Sequence, residues 1–181
     1  MPPWIAGVLH YKRYPMAHLW DYGMTINRHP TDQEATILGE LARETSLHAH
    51  SYLRAAKKLA LGTQVGEEID MKMPLNFLLG HACELATKSI LIGIGYDENE
   101  LKRLGHGLLR SIDACRQEGI VIDPDFETYC RIMDPAHSGY LTRYAIRTFP
   151  WVGYKAAIGM ISAQMQALPW IWPEDADDDV H

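Results

Sequence analysis

The feature that most constrains the fold is the stretch from about Leu75 to Ile94, which is apolar on almost every side. A helix that is apolar all round is typical of the middle of a bundle, because a surface helix keeps one polar face. The apolar stretch within it, Ser89–Gly95, is far shorter than the ~20 residues that a membrane span needs. We therefore expect this stretch to be a central helix with other helices packed around it.

Three polar side chains interrupt the predicted central helix along one stripe: His81, Glu84 and Lys88. Residues three or four positions apart share a helix face, and a Glu four residues before a Lys is the favourable order for an ion pair. On so apolar a helix both charges must be paired or line a cleft, because burying an unpaired charge is prohibitive. A structural polar network and a ligand cleft both explain the stripe, and the two can coexist.

A glycine-histidine corner follows the central helix. The chain turns, enters a short helix near Asp97 and reaches Gly105-His106, which we expect to open another amphipathic helix. The turn is short, so the two segments must double back beside each other. We therefore predict that Glu84 and Lys88 point toward His106, and that the carboxylate meets Lys88, His106 or a backbone N–H there.

The rest of the pattern predicts an all-α fold, an up-and-down bundle of about five helices with no substantial sheet. Capping boxes, N-cap residues and helical periodicity set the remaining elements. These are a long helix opened by Thr31–Glu34 and ended by Gly62, a loop closed by Pro74, a short helix opened by Asp97–Glu100, a helix from Gly105 to Gly119, a helix from Asp123-Pro124 through Met133, an ordered loop from Pro135 to Pro150, and a final helix from about Val152 to Leu168.

Composition divides the chain into three parts. Residues 1–30 are an aromatic-rich arm that we expect to pack on the bundle, with a dimer contact as the alternative; residues 31–173 are the bundle, and residues 174–181 an acidic, disordered tail. The net charge of −6 argues against a protein that coats nucleic acid non-specifically, although it leaves room for a small basic cleft. The absence of a recognisable secretory signal or membrane span predicts a cytoplasmic protein with no membrane partner.

No metal ion and no cofactor are expected from the sequence. The three cysteines show no paired ligand spacing, and reduced thiols are the simpler interpretation. His48 and His50 diverge by about 200° on a helix, and the sequence places no carboxylate beside them.

Residues 81–88 read H-A-C-E-L-A-T-K, and a Gly-Tyr turn, a short charged helix and the sequence G-H-G-L at 105–108 follow. This order resembles the HEPN family of small helical bundles. The resemblance implies an up-and-down α-helical bundle that is frequently a homodimer. Many HEPN proteins are RNases of toxin–antitoxin, defence or RNA-processing systems, and others are non-catalytic and bind nucleotides or partner proteins.

The nuclease signature of that family is an Arg followed by a His after four to six residues. Arg131 and His137 fit the spacing, but an apolar Ile132 follows the Arg and Pro135 is expected to interrupt the helix. Arg43 with His48 or His50, and Arg13 with His18, fit as well, and one or two such pairs are expected by chance, so the spacing alone decides little. The sequence therefore predicts a non-catalytic or weakly catalytic interaction or nucleotide-binding module, with a metal-independent RNase of a toxin–antitoxin or defence system as the alternative.

Two groups of cations are candidate contacts to phosphate or RNA: Lys102 with Arg103, and Arg143 with Arg147. The second group alternates with tyrosines, so it could stack bases and bind phosphates. Surface arginines beside packed tyrosines are the alternative. The candidate partners are thus RNA, a nucleotide, a partner protein or a second copy of the chain.

Overall fold

The computed structural model describes residues 32–63, 68–139 and 153–166. Within these ranges every regular element is an α-helix, so the predicted all-α bundle is confirmed. The aromatic arm, the acidic tail, Arg143 and Arg147 lie outside the described residues. The helices are α1 (Asp32–Gly62), α2 (Glu68–Gly93), α3 (Glu98–Leu104), α4 (Leu108–Gln117), α5 (Pro124–Ser138) and α6 (Tyr154–Gln166).

Helix α2 is the central element, as its all-round apolar sequence predicts. It contacts α1, α4, α5 and α6. Its apolar residues Leu79, Ile90 and Leu91 are almost completely excluded from solvent. The long helix α1 packs along α2 and carries Ala49 and Ala56 on its buried face. Their seven-residue spacing is close to two helical turns, so both small side chains face the same way.

The predicted start of the central helix is wrong, because α2 begins at Glu68 and contains Pro74. Proline has no N–H to donate, so one carbonyl of the preceding turn loses its helical partner. The turn before Pro74 nevertheless stays helical, and Met71 in that turn packs against the core. Apolar contact thus offsets the missing hydrogen bond.

The predicted end of the helix that starts at Asp123-Pro124 is also wrong. Helix α5 continues through Pro135 to Ser138, instead of ending near Met133. Pro135 is exposed, while Ala136 and His137 in the same turn are buried. Burial of the last turn against the bundle therefore keeps the helix intact beyond the proline, and it places His137 in the interior.

The segment between α2 and α4 contains the short helix and the capping box that the sequence predicts, but the following helix begins later than predicted. Asp97 Oδ1 accepts a hydrogen bond from the Glu100 N–H at 2.8 Å, and Glu100 Oε2 accepts one from the Asp97 N–H at 2.9 Å, which completes the capping box of α3. Gly105 ends α3 with a φ of 59°, a backbone conformation that favours glycine. Helix α4 begins at Leu108, so His106 lies in the turn before that helix and not in its first turn.

Candidate functional site

The carboxylate of Glu84 is the centre of a buried polar cluster. Its Oε1 accepts a hydrogen bond from Lys88 Nζ at 2.6 Å, one turn further along α2. His106 Nδ1 lies 3.1 Å from both carboxylate oxygens. The predicted contacts of the Glu84 carboxylate with Lys88 and His106 are therefore present in the structure.

A fourth member of the cluster, His137 of α5, was not predicted as a site residue. Its Nε2 lies 2.7 Å from Glu84 Oε2, and its side chain is only 2 % exposed. We name Glu84, Lys88, His106 and His137 the Glu84 cluster. Glu84 and Lys88 belong to α2, His106 to the turn before α4, and His137 to α5. One carboxylate therefore links three segments of the bundle.

The position of His137 depends on a glycine in α2. A Cβ atom built on Gly80 would lie 2.5 Å from His137 Nδ1, closer than real Cβ contacts come. Nδ1 is buried and has no hydrogen-bond partner, so the proton that the neutral ring carries is on Nε2, where it can be donated to Glu84.

His81, predicted as part of the polar site, does not contact the Glu84 carboxylate directly. Its Nδ1 lies 3.0 Å from the Phe77 carbonyl oxygen, to which it can donate. Its ring packs edge-on against His137, with ring centroids 4.9 Å apart. His81 therefore supports the cluster through the His137 ring.

The carboxyl group of Glu84 is held as an anion. Burial alone would raise its pKa, but hydrogen bonds from His137, Lys88 and His106, together with the Lys88 charge, lower the pKa well below its usual range. A carboxylate with so low a pKa is a weak base near neutral pH. Its role is thus to fix its three partners rather than to accept a proton.

The cluster reaches the surface on one side. The Lys88 side chain is 16 % exposed and that of His106 is 38 % exposed. The exposed Arg110 of α4 folds its side chain back over the turn at Gly105–Gly107, as shown by the 2.4 Å that would separate its Nε from a Cβ built on Gly107. We name Lys88, His106 and Arg110 the basic edge; Arg110 was missed by the sequence analysis, although its place four residues after His106 was available as a signal.

The predicted cations of α3 are exposed, as a phosphate contact requires. Lys102 forms an exposed ion pair with Glu98, with Nζ and Oε1 2.6 Å apart. Arg103 is exposed in the last turn of α3, two residues before the turn that carries His106. These observations place the cations but assign them no ligand.

The structure separates the two residues of the nuclease-like signature. His137 points inward to Glu84, whereas the Arg131 side chain is 64 % exposed and pairs with Glu127 at 3.0 Å. Six residues on a helix correspond to about 240° of rotation, so the two side chains leave α5 on different sides. They do not form a joint site.

A comparison with models of known protein families, with curated proteins and with solved structures found no match. Among the described residues, no helix is both long enough and apolar enough to cross a membrane.

Proposed function

We propose that this chain is a HEPN-like helical module that binds a phosphate-bearing ligand, a nucleotide or RNA, at the basic edge without cleaving it. The observation that carries the proposal is the fixed, ionised Glu84 carboxylate, which holds Lys88 and His106 at the partly exposed side of the cluster, where Arg110 lies over the turn that contains His106. The residues that carry the HEPN resemblance, at 81–88 and 105–108, are the ones that supply most of this cluster.

Local charge supports an anionic ligand even though the whole chain is acidic. Lys88 neutralises Glu84, and Arg110 and Arg103 add two positive charges near the turn before α4, against one nearby carboxylate, Asp134, which accepts a hydrogen bond from the Leu109 N–H at 3.2 Å. Salt screens charges that lie more than about 8–10 Å away, so an anion at the basic edge responds to these local charges more than to the net charge of −6. Side chains whose rotamers are already held lose little entropy when they bind phosphate.

The chemistry of the cluster favours binding over cleavage. Glu84 is too weak a base, and the buried His137 has no access to a substrate. Arg131, the arginine of the nuclease-like signature, is occupied by Glu127 on another side of α5. A non-catalytic module needs none of these groups to be free.

Ligand binding can be tested with a fluorescent oligoribonucleotide and a fluorescent ATP analogue, in the presence of EDTA. Arg110→Gln should weaken binding about tenfold, because a hydrogen bond to a charged group contributes about 1.5–3 kcal/mol. Arg54→Gln is the matched control, since Arg54 is exposed on α1 and outside the basic edge. The affinity of the wild type should also fall with rising salt.

The proposal fails if the wild type shows no saturable binding of either probe. It fails equally if Arg54→Gln and Arg110→Gln weaken binding to the same extent, since binding would then follow net charge and not the basic edge.

A metal-independent RNase is the second candidate, and one observation favours it. His106 combines an Nδ1 bonded to a carboxylate with a ring that is 38 % exposed, which is how a carboxylate orients a catalytic imidazole. With its proton on Nδ1, the ring would offer Nε2 to a ribose 2′-hydroxyl. Cleavage of RNA in EDTA that is abolished by His106→Gln and kept in His48→Gln would replace the binding proposal with this one.

The homodimer that the HEPN resemblance implies stays a prediction. Two large apolar side chains lie one turn apart near the start of α1 and are about half exposed: Ile37 at 50 % and Leu41 at 48 %. Sedimentation velocity on the wild type and on Leu41→Glu tests it: a dimer that uses this face should become a monomer in the variant, and an unchanged dimer would exclude this face.

A further inference from the structure

We propose that Glu84, His106 and His137 form a binding site for one divalent transition-metal ion. The proposal goes beyond the phosphate-binding function and does not rest on it. The ligand atoms would be Glu84 Oε2, His106 Nδ1 and His137 Nε2, and one donor atom from each residue lies within 4.8 Å of the other two. Three chain segments contribute one ligand each.

The distances within the cluster are close to those that a metal imposes. Glu84 Oε2 lies 2.7 Å from His137 Nε2 and 3.1 Å from His106 Nδ1. Ligands at about 2.0–2.2 Å from an ion, at angles between 90° and tetrahedral, are separated by about 3.0–3.4 Å. The two contacts of Glu84 therefore need to lengthen by at most a few tenths of an ångström, while the two histidine nitrogens, which lie within 4.8 Å of each other, set the remaining adjustment.

The donor set selects the class of metal. Two imidazoles and one carboxylate are typical of zinc sites that keep an open position and of non-haem iron sites. Calcium and magnesium prefer sites made of oxygen ligands, so they fit poorly. The exposed side of His106 leaves room for a water or a ligand oxygen in a further coordination position.

Lys88 both supports and opposes the ion. Its ammonium group binds Oε1, the oxygen that the metal does not need, and outer hydrogen bonds of this kind orient a ligating carboxylate. The same ammonium repels a cation bound on Oε2. A glutamine at position 88 can still donate a hydrogen bond to Oε1 but carries no positive charge. We therefore expect Lys88→Gln to bind the metal more tightly than the wild type, whereas removing a ligand should weaken binding.

Metal binding requires both imidazoles to change tautomer. The proton of His137 must move from Nε2 to Nδ1, and that of His106 from Nδ1 to Nε2, so no net proton is lost from a neutral ring. In either tautomer His137 keeps one ring nitrogen against Gly80 without a partner, so the change creates no additional unsatisfied group. His106 is partly exposed and can use water.

The test uses the untagged full chain, stripped with a chelator and dialysed, and titrated with Zn²⁺ by calorimetry and with Co²⁺ by visible absorption. The wild type should bind one ion per chain at this site, with the Co²⁺ absorption expected of nitrogen and oxygen ligands. His106→Gln should weaken binding by at least about tenfold. His48→Gln, which removes an exposed histidine on α1, should leave it unchanged.

Two results would overturn the proposal. One is the absence of saturable binding. The other is binding to His106→Gln as tight as to the wild type, which would assign the ion to histidines elsewhere in the chain. A loss of affinity in Lys88→Gln would also contradict the assigned geometry. Circular dichroism must show that His106→Gln is folded, which its partly exposed side chain favours; if it is not, Lys88→Gln against the wild type decides.

Discussion

Replacing Glu84 with Gln should lower the free energy of unfolding by about 2–4 kcal/mol, whereas Glu98→Gln should change it by less than about 0.5 kcal/mol. The two sites form a matched pair. Each glutamate pairs with a lysine four residues later, and each Nζ–Oε1 distance is 2.6 Å. They differ in burial, since the Glu84 side chain is 6 % exposed and that of Glu98 is 81 % exposed.

The magnitude follows from what a glutamine can replace. Its single carbonyl oxygen can still accept a hydrogen bond from His137, which is buried and cannot bond to water instead. Its NH₂ group would then face the Lys88 ammonium, donor against donor. Breaking a buried pair costs about 3–5 kcal/mol, and the loss is smaller here because Lys88 and His106 reach water on one side.

Urea unfolding followed by far-UV circular dichroism measures this loss, with EDTA present so that no metal ion contributes. For a chain of this size the thermal midpoint should fall by about 4–16 °C. A Glu84→Gln protein that loses less than about 1 kcal/mol and behaves like Glu98→Gln would refute the reasoning. The buried carboxylate would then not hold the bundle together, and any effect of the change on ligand binding would point to a purely functional cluster.

Further predictions concern the packing around His137, the loss of stability at low pH and the reactivity of the cysteine thiols. Gly80→Ala should destabilise the chain by about 1–3 kcal/mol, because the new Cβ meets His137, whereas Gly159→Ala on α6 should stabilise it by up to about 1 kcal/mol; thermal melts compare them. Folding lowers the pKa of Glu84, so its contribution is complete above the ordinary value of 4.5 and is lost as the pH falls below it; the wild type and Glu84→Gln should converge in acid, measured by urea unfolding at several pH values. Burial raises the pKa of Cys115 to about 12, and all three cysteines are buried, so a thiol reagent at pH 8 should react with none until denaturant is added.

The part of the site that could be predicted from sequence is the part made by local geometry. Glu84 and Lys88 are one turn apart on α2. The segment between α2 and α4 is short, so the chain that carries His106 must return beside α2. Helical periodicity and a capping box are enough to reach that conclusion. The resulting contacts of Glu84 with Lys88 and His106 are present in the structure.

The contact of Glu84 with His137 spans 53 residues, and no local rule places it. A signal was present nonetheless. The buried residues Phe126, Cys130 and Met133 recur at helical spacing on α5, and His137 continues that row. The prediction that the helix ends before Pro135 placed His137 in a loop and so outside this buried row. Proline removes one hydrogen bond, but tertiary packing of the last turn outweighed this loss, as it also did at Pro74 in α2.

Exposure rises steadily across the cluster, from 2 % for the His137 side chain through 6 % for Glu84 and 16 % for Lys88 to 38 % for His106. The inner members have no access to water, so changes there must appear as lost stability. The outer members can rehydrate, so changes there cost little stability and act on whatever binds at the basic edge. Because Glu84 contacts both groups, a ligand or metal ion that fixes His106 must also stabilise the connection from α2 to α5, and binding should raise the thermal midpoint.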